Sequence, residues 1–268
     1  MERETNSLFF GLEAIAPWPH SFPKGRLIHE HERHATLAFL GKVSLDKISP
    51  LLSSFPKPEF KVGLTGIFDK KLFLPQRHPH VVSWHIDFFE VFVSLENYQK
   101  QISNWLIENG FSPQSHEEGW LPHVTLARQP FDQDAWNEAF MALPVFFNAI
   151  HLYESVGDLR YSSLWSLPLP FPWTEIEHTA DIAFIIRGET LQQVYRHAIL
   201  ALAFRFPQLL SYMPASCDLN SLDDVIILLN EAVSLADQAV GCPFKAVSFH
   251  GELENFDHIS YWEMIVDV

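Results

Sequence analysis

Across the first 170 residues, short runs of β-branched and aromatic residues are interrupted by segments whose apolar positions repeat every three or four residues. Residues 7–15, 36–40, 60–68, 81–86, 124–127 and 149–153 predict strands. Residues 46–54 and 95–109 predict helices, the second carrying Tyr98, Ile102, Trp105 and Leu106 on one face and stopping before Gly110. Further along, Thr190 followed by Gln193 forms a capping-box pattern that opens a helix through Leu191, Val194, Ala198 and Leu202. A second helix is expected over 222–236, with strands over 181–186, 245–250 and 261–268. Strands and helices are mixed without strict alternation, so the expected class is α+β.

The stretch Pro168-Leu-Pro-Phe-Pro172 suits neither helix nor central strand and reads as a stiff linker. It divides the chain into residues 1–167 and 173–268. The first part, through Phe171, carries 14 basic and 19 acidic residues, the rest 4 and 14, for nets of -5 and -10. A hydrophobic content of 47 % with 23 Phe and 8 Trp excludes disorder and low-complexity architectures. Two cysteines, Cys217 and Cys242, make no disulfide framework, and the opening residues lack the pattern of a secretory signal. A reducing, cytoplasmic setting is therefore expected. No apolar run approaches the roughly 18–20 residues needed to cross a bilayer, so no membrane partner is expected. The net charge of -15 argues against binding long duplex nucleic acid, which needs clustered Lys and Arg, and confines any nucleic-acid role to an end or a pocket.

One pattern occurs twice, 89 residues apart: His34-Ala-Thr-Leu37 and His123-Val-Thr-Leu126. On a strand, residues i and i+2 share a face, so His34 with Thr36, and His123 with Thr125, each present an imidazole and a hydroxyl together. Two such strands side by side supply one imidazole to deprotonate an attacking water and one to protonate a leaving oxygen. Thr36, Thr125 and Arg128 are the expected contacts for the non-bridging phosphate oxygens. A His-x-His metal site at His29, His31 and His34 is disfavoured, because strand alternation would put His34 on the opposite face. His78, His80 and His85 read as loop or strand surface residues.

The segments Arg33-His-Ala-Thr-Leu-Ala-Phe-Leu-Gly41 and Leu121-Pro-His-Val-Thr-Leu-Ala-Arg128, with Leu152-Tyr-Glu-Ser155, Tyr161 and Leu164, resemble the 2H phosphoesterase family. The resemblance spans about Leu8 to Leu167 and is nearest the RNA 2',3'-cyclic phosphodiesterases, also called 2'-5' RNA ligases. It implies a bilobal α+β fold with a pseudo-twofold axis, a terminal cyclic phosphate opened to a 2'-phosphomonoester, no cofactor, and His34 and His123 as the catalytic pair. His34 is assigned the acid role and His123 the base role. Between Ile15 and Arg26 the chain is short and Pro-rich where the family has a helix. Two alternatives are an adaptor that binds RNA termini without turnover and a phosphodiesterase of small cyclic nucleotides.

In the second part, Glu175-Ile-Glu-His-Thr-Ala-Asp-Ile-Ala-Phe184, Gly188, Lys245-Ala-Val-Ser-Phe-His250 and Trp262-Glu-Met-Ile-Val-Asp-Val268 resemble archease. That family assists a GTP-dependent RNA ligase. Asp181 at one strand start, Asp267 at another strand's end and the carboxylate of Val268 offer hard oxygen ligands, which select calcium or magnesium. By resemblance, Lys245 is functional and His178 braces the site. The middle is shortened relative to archease, with about 15 residues between Asn230 and Lys245, and the strand edges this exposes are expected to be covered by the first domain.

Overall fold

The computed structural model describes residues 7–89, 92–113, 119–179, 181–214, 218–249 and 251–268. Cys217 and His250 lie outside them. The first part is built around a nine-stranded antiparallel sheet. Its strands are β1 (Ser7–Glu13), β2 (Arg26–Leu27), β3 (His34–Lys42), β4 (Leu64–Leu74), β5 (Val81–Phe88), β6 (His123–Arg128), β7 (Leu143–Phe147), β8 (Ala149–Gly157) and β9 (Arg160–Pro168). They run in the order β7-β4-β5-β6-β3-β1-β8-β9, with β2 beside β6. Ile15, just past β1, bridges Phe146 of β7, so the sheet curls until its edge meets the chain leaving its middle.

Helices α1 (Leu45–Ile48), α2 (Phe92–Glu108) and α3 (Gln133–Glu138) belong to this part. Alternation along β1 buries Leu8, Phe10 and Leu12, and the same core takes Tyr98, Ile102 and Leu106 of α2. Each such ring or aliphatic side chain removed from water is worth roughly 1.5–3 kcal/mol. The Pro-rich stretch before β2 supplies Trp18 and Phe22, which pack on Trp84. Aromatic packing thus fills the short Pro-rich stretch between Ile15 and Arg26.

Several predicted boundaries move for local reasons. Residues 60–62 are not strand: the Gly63 N–H bonds Pro170 O, and a Cβ on Gly63 would meet Phe147 O at 2.7 Å, so the chain enters β4 only at Leu64. Residues 46–54 are one short α-turn followed by a 3-10 helix with Pro50 near its start. The stretch around His29 and His31 is a 3-10 helix over Glu30–Glu32, so the strand alternation used to separate them from His34 does not hold. Both are exposed.

The second part carries a five-stranded antiparallel sheet of β10 (Trp173–Ile176), β11 (Ile182–Gly188), β12 (Ala246–Val247), β13 (Glu254–Phe256) and β14 (Ile259–Asp267), in the order β10-β11-β14-β12 with β13 on β14. Helices α4 (Leu191–Arg205) and α5 (Leu222–Val240) share its core. Thr190 accepts the Gln193 N–H as the capping pattern predicts. The second helix runs past the expected end at residue 236 and stops at Gly241, whose φ of 77° suits glycine. The expected strand over 245–250 is reduced to Ala246–Val247. Its edge is covered by Asn230 of α5, whose side chain exchanges two hydrogen bonds with the Val247 backbone, and not by the first part.

The proline segment is not a free spacer. Leu169 N–H bonds Asn148 O, Pro170 O accepts from Gly63, and Pro172 O accepts from Arg187. Phe146 of β7 packs against Phe171, Trp173 and Phe204, so an edge strand of the first sheet joins the second core. No helix of the described residues is long and apolar enough to cross a membrane.

Candidate active site

The two His-x-Thr strands are neighbours. β3 and β6 pair antiparallel through Ala35 and Val124. One step along that register puts His34 opposite Thr125 and Thr36 opposite His123. Both threonines and both histidines thus occupy one face around a local twofold centre.

Each histidine is fixed in the same way. His34 Nδ1 donates to Glu32 O at 2.6 Å, and His123 Nδ1 donates to Leu121 O at 2.8 Å. A carbonyl can only accept, so each Nδ1 carries the hydrogen and, in the neutral ring, each Nε2 keeps its lone pair. Glu32 is itself held: its carboxylate accepts from Arg160 Nε at 2.6 Å. The adjoining Arg33 lies buried over the rings of Trp18 and Phe22, where desolvation lowers its pKa to about 10.

Both motifs also carry the same bulge. On β5 and β6 the register runs Ser83–Thr125 and then Val82–Ala127, leaving Leu126 extra. On β1 and β3 it runs Gly11–Thr36 and then Phe10–Ala38, leaving Leu37 extra. A bulge shifts the alternation by one residue. Arg128, which strict alternation from His123 would turn away, is thereby returned to the face of His123 and Thr125. Its Nε is buried without a hydrogen-bond partner among the described residues. The first motif carries Phe39 at the corresponding place.

The environment of His34 is aromatic. Its ring lies 4.6 Å from Phe9, 5.1 Å from Tyr153 and 4.8 Å from Tyr161. Gly11, its near neighbour on β1, leaves little room for a side chain: a Cβ would stand tight against Ala35 O at 3.1 Å and in ordinary contact with His34 Cδ2 at 3.5 Å. Desolvation is the main cause that lowers the His34 pKa to about 4; the bond to Glu32 opposes it, and His123 and His151 add to it. In the free protein His34 is therefore neutral at pH 7. Acting as the acid, as expected from sequence, requires that bound phosphate charge it.

Sequence reasoning expected a strand over 149–153 but gave the outer strands no residue in the site. His151 and Tyr153 of β8 and Tyr161, Ser163 and Ser166 of β9 reach the same region through cross-strand register. His85 was expected at the surface, yet it is the register partner of His123 and bonds Asp69 at 2.6 Å with only 16 % of its side chain exposed. His78 and His80 are exposed loop residues as expected.

In the second part, β11 and β14 pair Ile182 with Val266, so Asp181 and Asp267 stand at the same end of the pair, where Asp267 is the register partner of Ala246. His178 Nδ1 stands 3.7 Å from Asp181, and a pocket of about 520 Å³ opens beside Glu175, Glu177, His178 and Asp181. Lys245 Nζ bonds Val268 O and its N–H bonds Asp267 O. An ammonium thus sits where a third oxygen ligand was expected. Among the described residues no group of three or more His, Cys, Asp or Glu is arranged to hold a metal ion.

No family model matches the chain. It is 29 % identical over 140 residues, 48 % of this chain and 69 % of the relative, to an RNA 2',3'-cyclic phosphodiesterase of Thermotoga maritima. Among solved structures, a phosphoesterase aligns at 22 % identity and a TM-score of 0.44, over 62 % of this chain and 99 % of its own. E. coli LigT complexed with 3'-AMP aligns at 21 % and 0.42, over 61 % and 98 %.

Proposed function

We propose that the chain is a phosphoesterase of the 2H type that opens a terminal RNA 2',3'-cyclic phosphate to a 2'-phosphomonoester by acid–base catalysis. The observation that carries this reading is the paired set His34, Thr36, His123 and Thr125 on adjacent strands, with both imidazoles anchored at Nδ1. One neutral Nε2 takes a proton from water as its oxygen attacks phosphorus. The P–O3' bond breaks, and O3' receives a proton from the other imidazole. Thr36, Thr125 and the unpartnered Arg128 Nε stabilise charge on the non-bridging oxygens. The similarity to an RNA 2',3'-cyclic phosphodiesterase supports RNA as the substrate class.

The test is hydrolysis of a short RNA ending in a 2',3'-cyclic phosphate, in chelator, by wild type, His34→Ala and His123→Ala. Formation of the 2'-phosphate, with each variant slower by about two orders of magnitude or more, is the expected result. Turnover neither on RNA nor on cyclic mononucleotides would replace this reading with the adaptor. The ligase-assisting role of residues 173–268 rests on the archease resemblance alone. Asp181 and Asp267 provide two carboxylates for a divalent ion. Calcium or magnesium binding there is a subsidiary proposal, tested by titration of wild type against Asp181→Asn. No step of the reaction passes through that site.

A further inference from the structure

The phosphodiesterase reading leaves one cluster unused. His151 on β8 lies two strands from His34 on β3, with β1 between them, is 12 % exposed and is held at both ring nitrogens. Nε2 stands 3.3 Å from Glu13 Oε2, while Nδ1 meets Ser166 Oγ at 2.7 Å and Ser163 Oγ at 2.9 Å. Glu13 is also the register partner of His34. Gly11 pairs with Thr36 on one side and His151 on the other, so no side chain of β1 separates the two imidazoles at that level. Tyr153 stands between them, 5.1 Å from the His34 ring and 5.2 Å from the His151 ring.

The other half of the sheet repeats the device in exchanged form. There the imidazole, His85, sits opposite His123, and the carboxylate, Asp69, lies one strand further out. A single anchored histidine on a strand surface is ordinarily structural. A carboxylate–imidazole pair beside each member of a duplicated catalytic pattern is harder to assign to packing.

We propose that His151 is a positioning residue of the site, a third imidazole that acts on His34 past Tyr153 and sets when the His34 ring takes up its proton. The carboxylate of Glu13 holds the His151 ring at Nε2 and fixes its place beside His34. From that place His151 adds to the burial that disfavours positive charge on His34, so His34 stays a neutral acceptor until an anionic phosphate enters the cleft. The groups facing His34 are Glu13 on β1, the Glu32 carbonyl, His123 on β6, His151 and Tyr153 on β8, and Tyr161 on β9. Those facing His151 are Glu13, Ser163, Ser166 and Tyr153. This inference rests on the phosphodiesterase reading for its purpose, though the coupling of the two rings exists without turnover.

The experiment is an NMR titration of the His34 ring in wild type and His151→Asn, alongside the pH dependence of kcat/KM. The expected result is a His34 inflection raised by about half a unit, a roughly threefold gain in proton affinity, with the same displacement in the kcat/KM profile. Ser163→Ala with Ser166→Ala keeps the imidazole but loosens it, and is expected to lower kcat with a smaller displacement of the inflection. An unmoved inflection in a variant that melts with wild type overturns the proposal, even if RNA is hydrolysed normally. A moved inflection without turnover on any cyclic phosphate upholds the coupling and removes the phosphodiesterase reading instead. If His151→Asn does not fold, the serine variant decides: wild-type kcat and an unmoved inflection overturn the proposal.

Discussion

The two His-x-Thr strands share a sequence pattern, a bulge at the following leucine and an anchor from Nδ1 to the carbonyl two residues back, yet they meet different neighbours. Opposite His34 and Thr36, β1 places Glu13 and Gly11; opposite His123 and Thr125, β5 places His85 and Ser83. After the bulge, one motif presents Phe39 and the other Arg128. Duplication fixes where the two imidazoles stand, while the strands behind them decide how each holds a proton. Proton transfer to and from a phosphodiester needs two unlike partners, and two identical lobes would not supply them.

Removing the proton carriers gives the largest effect. His34→Ala and His123→Ala are each expected to slow hydrolysis of a cyclic-phosphate RNA by about 10²–10⁴. Because the two act as a unit, the double variant should be scarcely slower than the worse single one. Rates that multiply in the double variant would mean that the imidazoles work independently.

Next in size is the difference between Arg128 and Phe39. Arg128→Ala is expected to lower kcat by about 10²-fold, as loss of a donor to transition-state charge does, with KM for the RNA less affected. Phe39→Leu should leave kcat within a few-fold. Equal losses at the two positions would show that Arg128 serves packing.

These side chains differ in how far sequence exposed them. The period of two along a strand made His34 with Thr36, and His123 with Thr125, readable as pairs, and the repeat tied the pairs together. His151, Tyr161, Ser163 and Ser166 were not readable as site residues, because β8 and β9 bring them in by register, which leaves no local signal. The return of Arg128 to the cleft face depends on a bulge that hydrophobic spacing does not reveal. β7 was overlooked because Leu143 to Phe147 is apolar throughout and contains Pro144, so it shows no alternation. β10 was overlooked because it starts directly after the prolines that suggested a linker. In the second part, the facing ends of β11 and β14 followed the expected strands, but the seat of Lys245 on Val268 is a tertiary contact beyond sequence reasoning.

Gly11 offers a narrower test of the same contrast. Gly11→Ala places a methyl 3.1 Å from Ala35 O and against the His34 and Tyr153 rings, whereas its counterpart Ser83 already has a side chain, bonded to Thr125 Oγ1 at 3.2 Å. The Ala35 carbonyl must give by a few tenths of an ångström beside His34, so kcat should fall by no more than a few-fold. Ser83→Ala loses one hydrogen bond, worth about 1 kcal/mol of stability, and little activity. The two kcat values and two urea midpoints measure this directly.

The last test is thermodynamic and isolates His34 from catalysis. In the unfolded chain its imidazole titrates near 6.5, while in the fold desolvation holds it at about 4. Between those values the unfolded state binds a proton that the folded state refuses. This site therefore leaves stability undiminished above pH 6.5, erodes it as pH falls through the window, and reaches its full cost below pH 4. The cost is at most about 3 kcal/mol, and smaller to the extent that the half-buried ring meets water. His34→Phe, which keeps a ring among Phe9, Tyr153 and Tyr161, removes this component. Urea unfolding at pH 7 and pH 4 should then show a smaller acid loss in the variant than in wild type. An equal loss would mean that the aromatic cage does not hold His34 neutral, and that the two histidines begin the reaction alike.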